Sequence, residues 1–216
     1  MNDIKHHLSD ALLMSYAGGG LNEAFSLVVA THVEMCDECR ARLGAFEAVG
    51  GNVLECSDVE PMTSVDLDAT FALIDADAPK TNPFKVQRKK GVLPPALQEY
   101  VGGDLSAVKW RSVGMGVRQA LLPTSKEASV RLLHIPAGCA VPDHGHRGTE
   151  LTLVLQGAFS DEFDHFGVGD LEIATEEDEH TPVAAEGLDC ICLAATDAPL
   201  RFNGLMQRIA QPFLKF

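Results

Sequence analysis

The chain is short of positive charge. It has 17 Lys and Arg side chains against 31 Asp and Glu, a formal net charge of -14. Because phosphate contacts need Lys and Arg, this balance argues against direct binding to nucleic acid and suits a basic partner. The sequence also lacks any run of about 18 apolar residues, and its N-terminus, MNDIKHHLSDALLM, has no signal-peptide pattern. We therefore predict a cytoplasmic protein that does not enter a membrane.

Several catalytic signatures are missing as well. No G-x-S-x-G, Walker-type or G-x-G-x-x-G sequence stands between a strand and a helix, where these motifs act. The chain does contain six cysteines among 216 residues, and an apolar fraction of 46% that is ample for packed cores. In a cytoplasmic chain of this length we expect the cysteines to be reduced thiols or metal ligands rather than a disulfide framework.

Charge divides the chain into three parts. Residues 1–77 carry 3 basic and 14 acidic side chains, residues 78–90 carry 5 basic and none acidic, and the remainder carries 9 against 17. The basic stretch, APKTNPFKVQRKKG, contains two prolines that disfavour a helix. We predict two domains, at 1–77 and 92–216, joined by an exposed linker at 78–91.

The first domain has a helical pattern with capping and stop signals. Short helices of about ten residues are marginal alone, so a bound ion would help to hold them together. We expect three short helices and a weaker fourth: one capped by Ser9 and ended by Gly18 to Gly20, one capped by Asn22 and running through His32, one capped by Asp37 and ended by Gly50 and Gly51, and one at 64–76.

The segment THVEMCDECR carries the pattern H-x3-C-x2-C at His32, Cys36 and Cys39. On one continuous helix these positions share a face; if one helix ends near His32 and another begins after Cys36, the thiols still lie about one turn apart. Either geometry supplies three corners of a tetrahedral Zn²⁺ site, whose folding free energy is on the order of 10 kcal/mol in small zinc modules. The fourth ligand is His6 or His7, and position alone favours neither.

Beyond the linker, the periodicity changes. Short alternating or apolar runs at 108–122, 129–135, 150–155 and 188–194 are separated by turn signals, with almost no helix. This pattern predicts an antiparallel β-barrel or jelly roll.

The sequence HGHRGTE predicts a second metal site, inside this barrel. His144 and His146 are two residues apart, so on a strand they face the same side, and Glu150 keeps that parity. His180, on a neighbouring strand, can supply a fourth ligand. Three imidazoles and a carboxylate bind a divalent transition metal; we expect Zn²⁺ first, with Mn²⁺, Fe²⁺ and Ni²⁺ as alternatives.

The first domain resembles the zinc-binding anti-sigma factors. The spacing H-x24-H-x3-C-x2-C, read from His7, is similar to theirs, and the resemblance implies His7 rather than His6 as the fourth ligand. Members of that class are small helical modules that hold a sigma factor of the extracytoplasmic-function type away from RNA polymerase. The resemblance therefore implies such a sigma factor as the partner, and the acidic surface would suit its basic DNA-binding faces.

The second domain resembles a cupin. The first cupin motif, H-x-H-x3-E-x6-G, is matched by His144, His146, Glu150 and Gly157. The second motif, which ends in a metal-binding histidine, is matched by Gly169 and His180. This second motif departs from the usual form, because the acidic run EEDE at 176–179 replaces a P-x-G before the histidine.

Together the two halves resemble the ChrR type of anti-sigma factor over nearly the whole chain. In that family the first domain inhibits the sigma factor and the second is needed for the response to oxidative or photo-oxidative stress, so the resemblance implies binding and sensing without enzymatic turnover. The alternative is a metal-dependent cupin enzyme, an oxygenase or isomerase, with an appended helical module. A third hypothesis, a thiol oxidoreductase using Cys36 and Cys39, is disfavoured because the sequence around these cysteines lacks the strand-helix-strand context of such motifs.

Overall fold

Helices come first in the computed structural model, which describes residues 4–58, 67–76 and 91–202. The predicted linker lies outside the described residues except for Gly91, as do residues 64–66 of the predicted fourth helix. None of the helices in these described ranges has the length and apolar composition needed to cross a membrane. The helices of the first part are α1 (Asp10–Ala17), α2 (Glu23–Met35), α3 (Asp37–Glu55) and α4 (Leu67–Ala76).

Local capping explains where the first two helices begin, and both predicted caps are confirmed. The Ser9 side chain accepts the N–H of Leu12 at 3.3 Å, and the Asn22 side chain accepts the N–H of Phe25 at 2.9 Å. Gly19 follows α1 with a φ of +69°, a left-handed conformation that glycine adopts without strain. The first helix therefore ends at Ala17, immediately before the predicted run of glycines, with Gly18 as its C-cap.

The prediction for α3 was wrong at both ends. Its N-cap is Cys36, whose Sγ accepts the N–H of Cys39, and Asp37 is the first helical residue rather than the cap. The helix also continues past Gly50 and Gly51 for four more residues instead of ending there. A glycine costs a helix about 1 kcal/mol relative to alanine but, unlike proline, it keeps its N–H donor, so the hydrogen-bond ladder can continue.

The H-x3-C-x2-C motif spans the junction of two helices. Helix α2 ends at Met35, and Cys36 has an extended backbone with φ of -116° and ψ of 107°. Of the two geometries that the sequence allowed, the one with a helix break is therefore correct. The break turns the chain so that His32, in the last turn of α2, faces the first turn of α3.

Antiparallel strands form the second part of the described chain, which confirms the predicted order of α followed by β. One six-stranded sheet has the order β1-β2-β3-β11-β5-β8, and two three-stranded sheets have the orders β10-β6-β7 and β12-β4-β9. The strands are β1 (Arg111–Gly114), β2 (Val117–Leu122), β3 (Ser129–Ile135), β4 (His144–Gly145), β5 (Glu150–Gln156), β6 (Phe159–Ser160), β7 (His165–Phe166), β8 (Leu171–Ala174), β9 (Glu179–His180), β10 (Val183–Ala184), β11 (Cys190–Thr196) and β12 (Arg201–Phe202).

Two details of this part differ from expectation. A helix, α5 (Pro95–Val101), precedes the sheets where almost no helix was expected. His146 and Glu150 also do not continue the strand of His144, because β4 stops at Gly145 and Glu150 begins β5. Strand parity alone was therefore an incomplete reason for expecting these three side chains to meet.

One apolar core joins the helices to the six-stranded sheet. Helix α2 contacts β3, β5, β11 and α5. Val28 of α2 and Leu132, Leu153 and Leu193 of the sheet are all fully buried in the same cluster. Successive side chains of a strand point to opposite faces, so the residues that flank each of these leucines along its strand lie on the other face of the sheet. The helical part therefore packs against one face of the six-stranded sheet.

Candidate metal centres

The first candidate centre lies where the N-terminal segment meets the α2–α3 junction. His32, Cys36 and Cys39 are buried there, and His7 reaches them from the residues before α1. One ligand atom of each of the four lies within 4.8 Å of the others. The structure thus brings His7 to the motif, whereas His6 faces the second part of the chain. We call this group the helical centre.

The distances within the helical centre fit zinc. His32 Nε2 lies 3.3 Å from Cys39 Sγ, and His7 Nδ1 lies 3.3 Å from Cys36 Sγ and 3.6 Å from Cys39 Sγ. Tetrahedral coordination with Zn–N near 2.0 Å and Zn–S near 2.3 Å places ligand atoms about 3.5 Å apart. Two thiols and two imidazoles at this spacing are the donor set of a structural zinc site.

Burial disfavours charge on these ligands unless a cation is present. Burial, with a smaller contribution from His7, lowers the pKa of His32 to about 4, and burial raises the pKa of Cys39 to about 11. A dication reverses the effect on the thiols, because two thiolates neutralise it while neutral imidazoles keep their lone pairs. Glu38 Oε2 lies 3.4 Å from His7 Nε2, so this carboxylate can accept the outer ring N–H and leave Nδ1 facing the sulfurs.

The second candidate centre, which we call the cupin centre, is a group of three buried imidazoles. His144 on β4 pairs directly with His180 on β9, and His146 follows β4. The three ring centroids are 4.7 to 5.2 Å apart, and His146 Nε2 lies 3.3 Å from His180 Nε2. Burial lowers the pKa of both His144 and His146, which favours the neutral form that binds metals.

Hydrogen-bond acceptors indicate which ring nitrogen faces the ion. His144 Nδ1 lies 2.9 Å from the Pro142 carbonyl, and His180 Nδ1 lies 3.0 Å from both Asp161 Oδ2 and Glu172 Oε1. A nitrogen beside acceptors carries the proton, so in its neutral form each of these rings has Nε2 as its metal-binding nitrogen. Three imidazoles arranged in this way fit a divalent transition metal and leave a coordination position open.

Glu150 stands at the edge of the cupin centre. Its Oε2 lies 4.0 Å from His146 Nδ1, and its Oε1 accepts the Thr152 hydroxyl at 3.0 Å. The group whose ligand atoms lie within 4.8 Å of one another contains the three histidines without Glu150. The carboxylate would therefore have to turn to join the histidines on one ion.

Sequence reasoning missed Asp161 and Glu172, which bracket His180. Burial lowers the pKa of His180, but hydrogen bonds to Glu172 and Asp161 outweigh this effect and raise it to about 9. Burial raises the pKa of Glu172 to about 7. The available signal for Glu172 was a carboxylate inside the apolar run LEIA, whereas Asp161 gave no such signal. Both contact the nitrogen that faces away from the other imidazoles, so they orient the ring rather than complete the three-histidine group.

Comparisons with known proteins cover both halves of the chain. Residues 98–198 match the family model described as the ChrR cupin-like domain. Over 212 residues, the chain is 58% identical to the anti-sigma-E factor ChrR of Cereibacter sphaeroides, covering 98% of this chain and 99% of that protein. It is also similar to a chain in the crystal structure of Rhodobacter sphaeroides SigE in complex with the anti-sigma ChrR, with a TM-score of 0.78, 57% identity, and coverage of 90% of this chain and 100% of that one.

Proposed function

The chain belongs to the ChrR family of anti-sigma factors, and from this premise we propose that it binds and inhibits an extracytoplasmic-function sigma factor. Residues 1–77 form the inhibitory helical module, 78–91 the connector, and 92–216 the cupin module needed for release in oxidative or photo-oxidative stress. Because a sigma factor meets RNA polymerase in the cytoplasm, we place the chain there and expect no direct contact with nucleic acid or membrane.

The observation that carries the proposal is a set of apolar side chains that are exposed on α3 and on α4. In the second half of α3, Val49, Val53 and Leu54 are exposed, Leu54 by 76%. On α4, Phe71 is 55% exposed, and Leu67, Leu73 and Ile74 are exposed as well. Exposed apolar side chains grouped on helices mark protein interfaces more often than solvated surface. We call these residues of α3 and α4 the docking surface.

Charge supports a sigma factor as the occupant of the docking surface. Residues 1–77 carry a net charge of -11, while sigma factors present basic faces to promoter DNA. Such complementarity steers association and disfavours acidic competitors. A module with this charge and an apolar docking surface can therefore occupy faces that the sigma factor needs for DNA.

The helical centre would hold Zn²⁺ through His7, His32, Cys36 and Cys39. These residues come from the N-terminal segment, the last turn of α2 and the start of α3, so the ion would fasten the N-terminal segment to both sides of the α2–α3 junction. Structural zinc contributes on the order of 10 kcal/mol to the folding of comparable small modules. Removing it should loosen the module that presents the docking surface.

The cupin centre would hold a divalent transition metal through His144, His146 and His180, with Glu150 as the fourth ligand after a side-chain rotation. Zn²⁺ is our first choice, and Mn²⁺, Fe²⁺ and Ni²⁺ suit the same donors. We propose a sensing role without turnover, in preference to a cupin oxygenase or isomerase. The support is that the relative named as an anti-sigma factor matches the chain along 98% of its length, helical module included.

A binding measurement with the host protein most similar to SigE tests this function. Leu54→Glu places a charge on the docking surface, and we expect the Kd to rise about 30-fold, the effect of losing a hot spot worth about 2 kcal/mol. Leu188→Glu is the matched control, because Leu188 is 68% exposed on the cupin module. No binding by the wild-type chain in any metal state would overturn the proposal, and so would equal weakening by both substitutions.

A further inference from the structure

Residues 161–172, which we call the bridging segment, contact His180 of the cupin centre and also the N-terminal residues that precede His7 of the helical centre. The segment follows β6, contains β7 and ends in β8. Its first and last carboxylates hold one cupin imidazole: His180 Nδ1 lies 3.0 Å from Asp161 Oδ2 and 3.0 Å from Glu172 Oε1. Asp161 is itself fixed, because its Oδ1 accepts two backbone N–H groups of the following turn at 2.9 Å each.

Residues 166–171 of the bridging segment hold the N-terminal residues. Asp170 Oδ1 accepts the N–H of Lys5 at 2.7 Å and that of His6 at 2.9 Å, and the His6 carbonyl accepts the N–H of Leu171 at 3.2 Å. The His6 ring packs against Phe166 with centroids 4.5 Å apart. Asp170 is only 4% exposed, so these hydrogen bonds are largely shielded from water. The backbone of residues 5 and 6 is thus fixed to the cupin module.

The length of chain between this attachment and the helical centre is very short. His7 follows His6 directly, and its Nδ1 lies 3.3 Å from Cys36 Sγ. Consecutive Cα atoms are about 3.8 Å apart, so a shift of the fixed residues must be passed to His7. Ligand distances in a metal site tolerate changes of only about 0.2 Å. Within the bridging segment, a single residue separates Asp170, which holds the N-terminal residues, from Glu172, which holds His180.

We propose that the bridging segment couples the two centres, so that an ion at the cupin centre strengthens metal binding at the helical centre and the reverse holds by the same factor. An ion bound by His180 would restrain the ring, and the Nδ1–H of the restrained ring would hold Asp161 and Glu172 in place. Without the ion the two carboxylates alone hold the ring, so the anchor of the N-terminal residues is less rigid. This inference rests on the proposed function, since it names the route from the cupin module to the inhibitory module.

Cobalt(II) titration of the full chain tests the coupling. Thiolate-bound Co²⁺ has a charge-transfer absorption that imidazole and carboxylate ligands lack, so the helical centre is observed alone. His146→Ala removes an imidazole from the cupin centre, and we expect it to raise the Kd for Co²⁺ at the helical centre about tenfold, within the usual range of coupling between sites. Asp170→Asn leaves a single acceptor oxygen for the N–H groups of Lys5, His6 and Gly167, which weakens the attachment. Adding His146→Ala to this variant should therefore have no further effect.

Asp104→Asn is the matched control. Asp104 Oδ2 accepts the N–H of Val92 at 3.2 Å and its Oδ1 that of Leu93 at 2.9 Å. Like Asp170 it holds two consecutive backbone N–H groups, but these belong to the start of the second part of the chain and not to the N-terminal residues. The tenfold effect of His146→Ala should persist in this background. An unchanged Kd in His146→Ala alone would overturn the proposal, as would a tenfold effect that survives Asp170→Asn.

A second substitution covers the case in which Asp170→Asn does not fold. The carboxylate of Asp164 is 60% exposed and lies 3.0 Å from His6 Nε2, so Asp164→Asn loosens the same attachment without opening the core. It should reduce the coupling factor, and an undiminished factor contradicts the proposal. No sigma factor is present in these titrations, so absent coupling would refute the bridging role alone, whereas absent sigma binding would refute the proposed function alone.

Discussion

Replacing Val28 by alanine tests whether the helical and cupin modules unfold as one body. Val28 is fully buried in the cluster that α2 shares with the six-stranded sheet. The substitution removes two carbon atoms, about 1.6 kcal/mol at about 0.8 kcal/mol each, and the cavity that remains raises the loss to about 2–3 kcal/mol. The better helix propensity of alanine offsets about 0.5 kcal/mol of this loss.

Urea unfolding of the metal-saturated protein measures the effect with two probes. Trp110 is the only tryptophan of the chain and immediately precedes β1, so its fluorescence reports on the cupin module. Far-ultraviolet circular dichroism reports mainly on the helices. With an m-value of about 2 kcal/mol/M, a loss of about 2 kcal/mol lowers a midpoint by about 1 M. Because the core is shared, we expect both probes to shift together, although the substitution lies in the helical module.

Val53→Ala is the control, because it removes the same atoms from a helical valine that is 62% exposed. Surface substitutions of this kind change stability by less than about 0.5 kcal/mol. A dichroism curve that shifts in Val28→Ala while the Trp110 curve stays in place would refute the shared core and favour two independently folding modules.

Three further changes have expected outcomes. Cys36→Ala removes a ligand of the helical centre, so the protein should lose zinc there and its Kd for the sigma factor should rise; full binding by the zinc-free protein would count against the model. Asp161→Asn weakens the hydrogen bond that orients His180, so chelator competition should show a fall of about 10- to 100-fold in Zn²⁺ affinity at the cupin centre; unchanged affinity would leave Asp161 without this role. Burial, and then donation of its hydroxyl to Glu23, raise the pKa of Tyr100 from 10.0 to about 12. The folded state thus binds this proton more tightly, so the contribution of Tyr100 to stability is complete below pH 10.0 and is lost as the pH rises to about 12. Tyr100→Phe should lack this loss when unfolding curves are compared at alkaline pH. Superimposable pH dependences for the two proteins would contradict the prediction.

Features that depend on a few neighbouring residues could be predicted from the sequence. The caps at Ser9 and Asn22 follow from short-range hydrogen bonds. The grouping of His32, Cys36 and Cys39 follows from their spacing, because either a continuous or a broken helix brings them close. Strand alternation likewise predicted sheets in the second part, although it could not show that β4 stops before His146.

Features that depend on distant residues could not be predicted in this way. The two ends of the bridging segment and His180 meet only after β8 and β9 have taken their places in different sheets. The packing of α2 on the six-stranded sheet had no sequence signal either, because a helix with a buried face does not specify what covers it. The charge pattern suggested separate domains, yet charge describes the solvated surface and not the apolar faces that join.

The two modules are both acidic, with net charges of -11 for residues 1–77 and -8 for residues 91–216, and yet they pack together. The centre of their contact is apolar, and carboxylates at its edge meet backbone donors: Glu34 accepts the N–H of Ala96 at 2.9 Å and Glu23 that of Ser125 at 2.7 Å. Ala96 lies in the first turn of α5, whose dipole favours a negative charge there. Carboxylates satisfied by N–H groups need no Lys or Arg, so little of this contact depends on opposite charge. A basic partner at the acidic surface would therefore compete with few of the interactions that hold the two modules together.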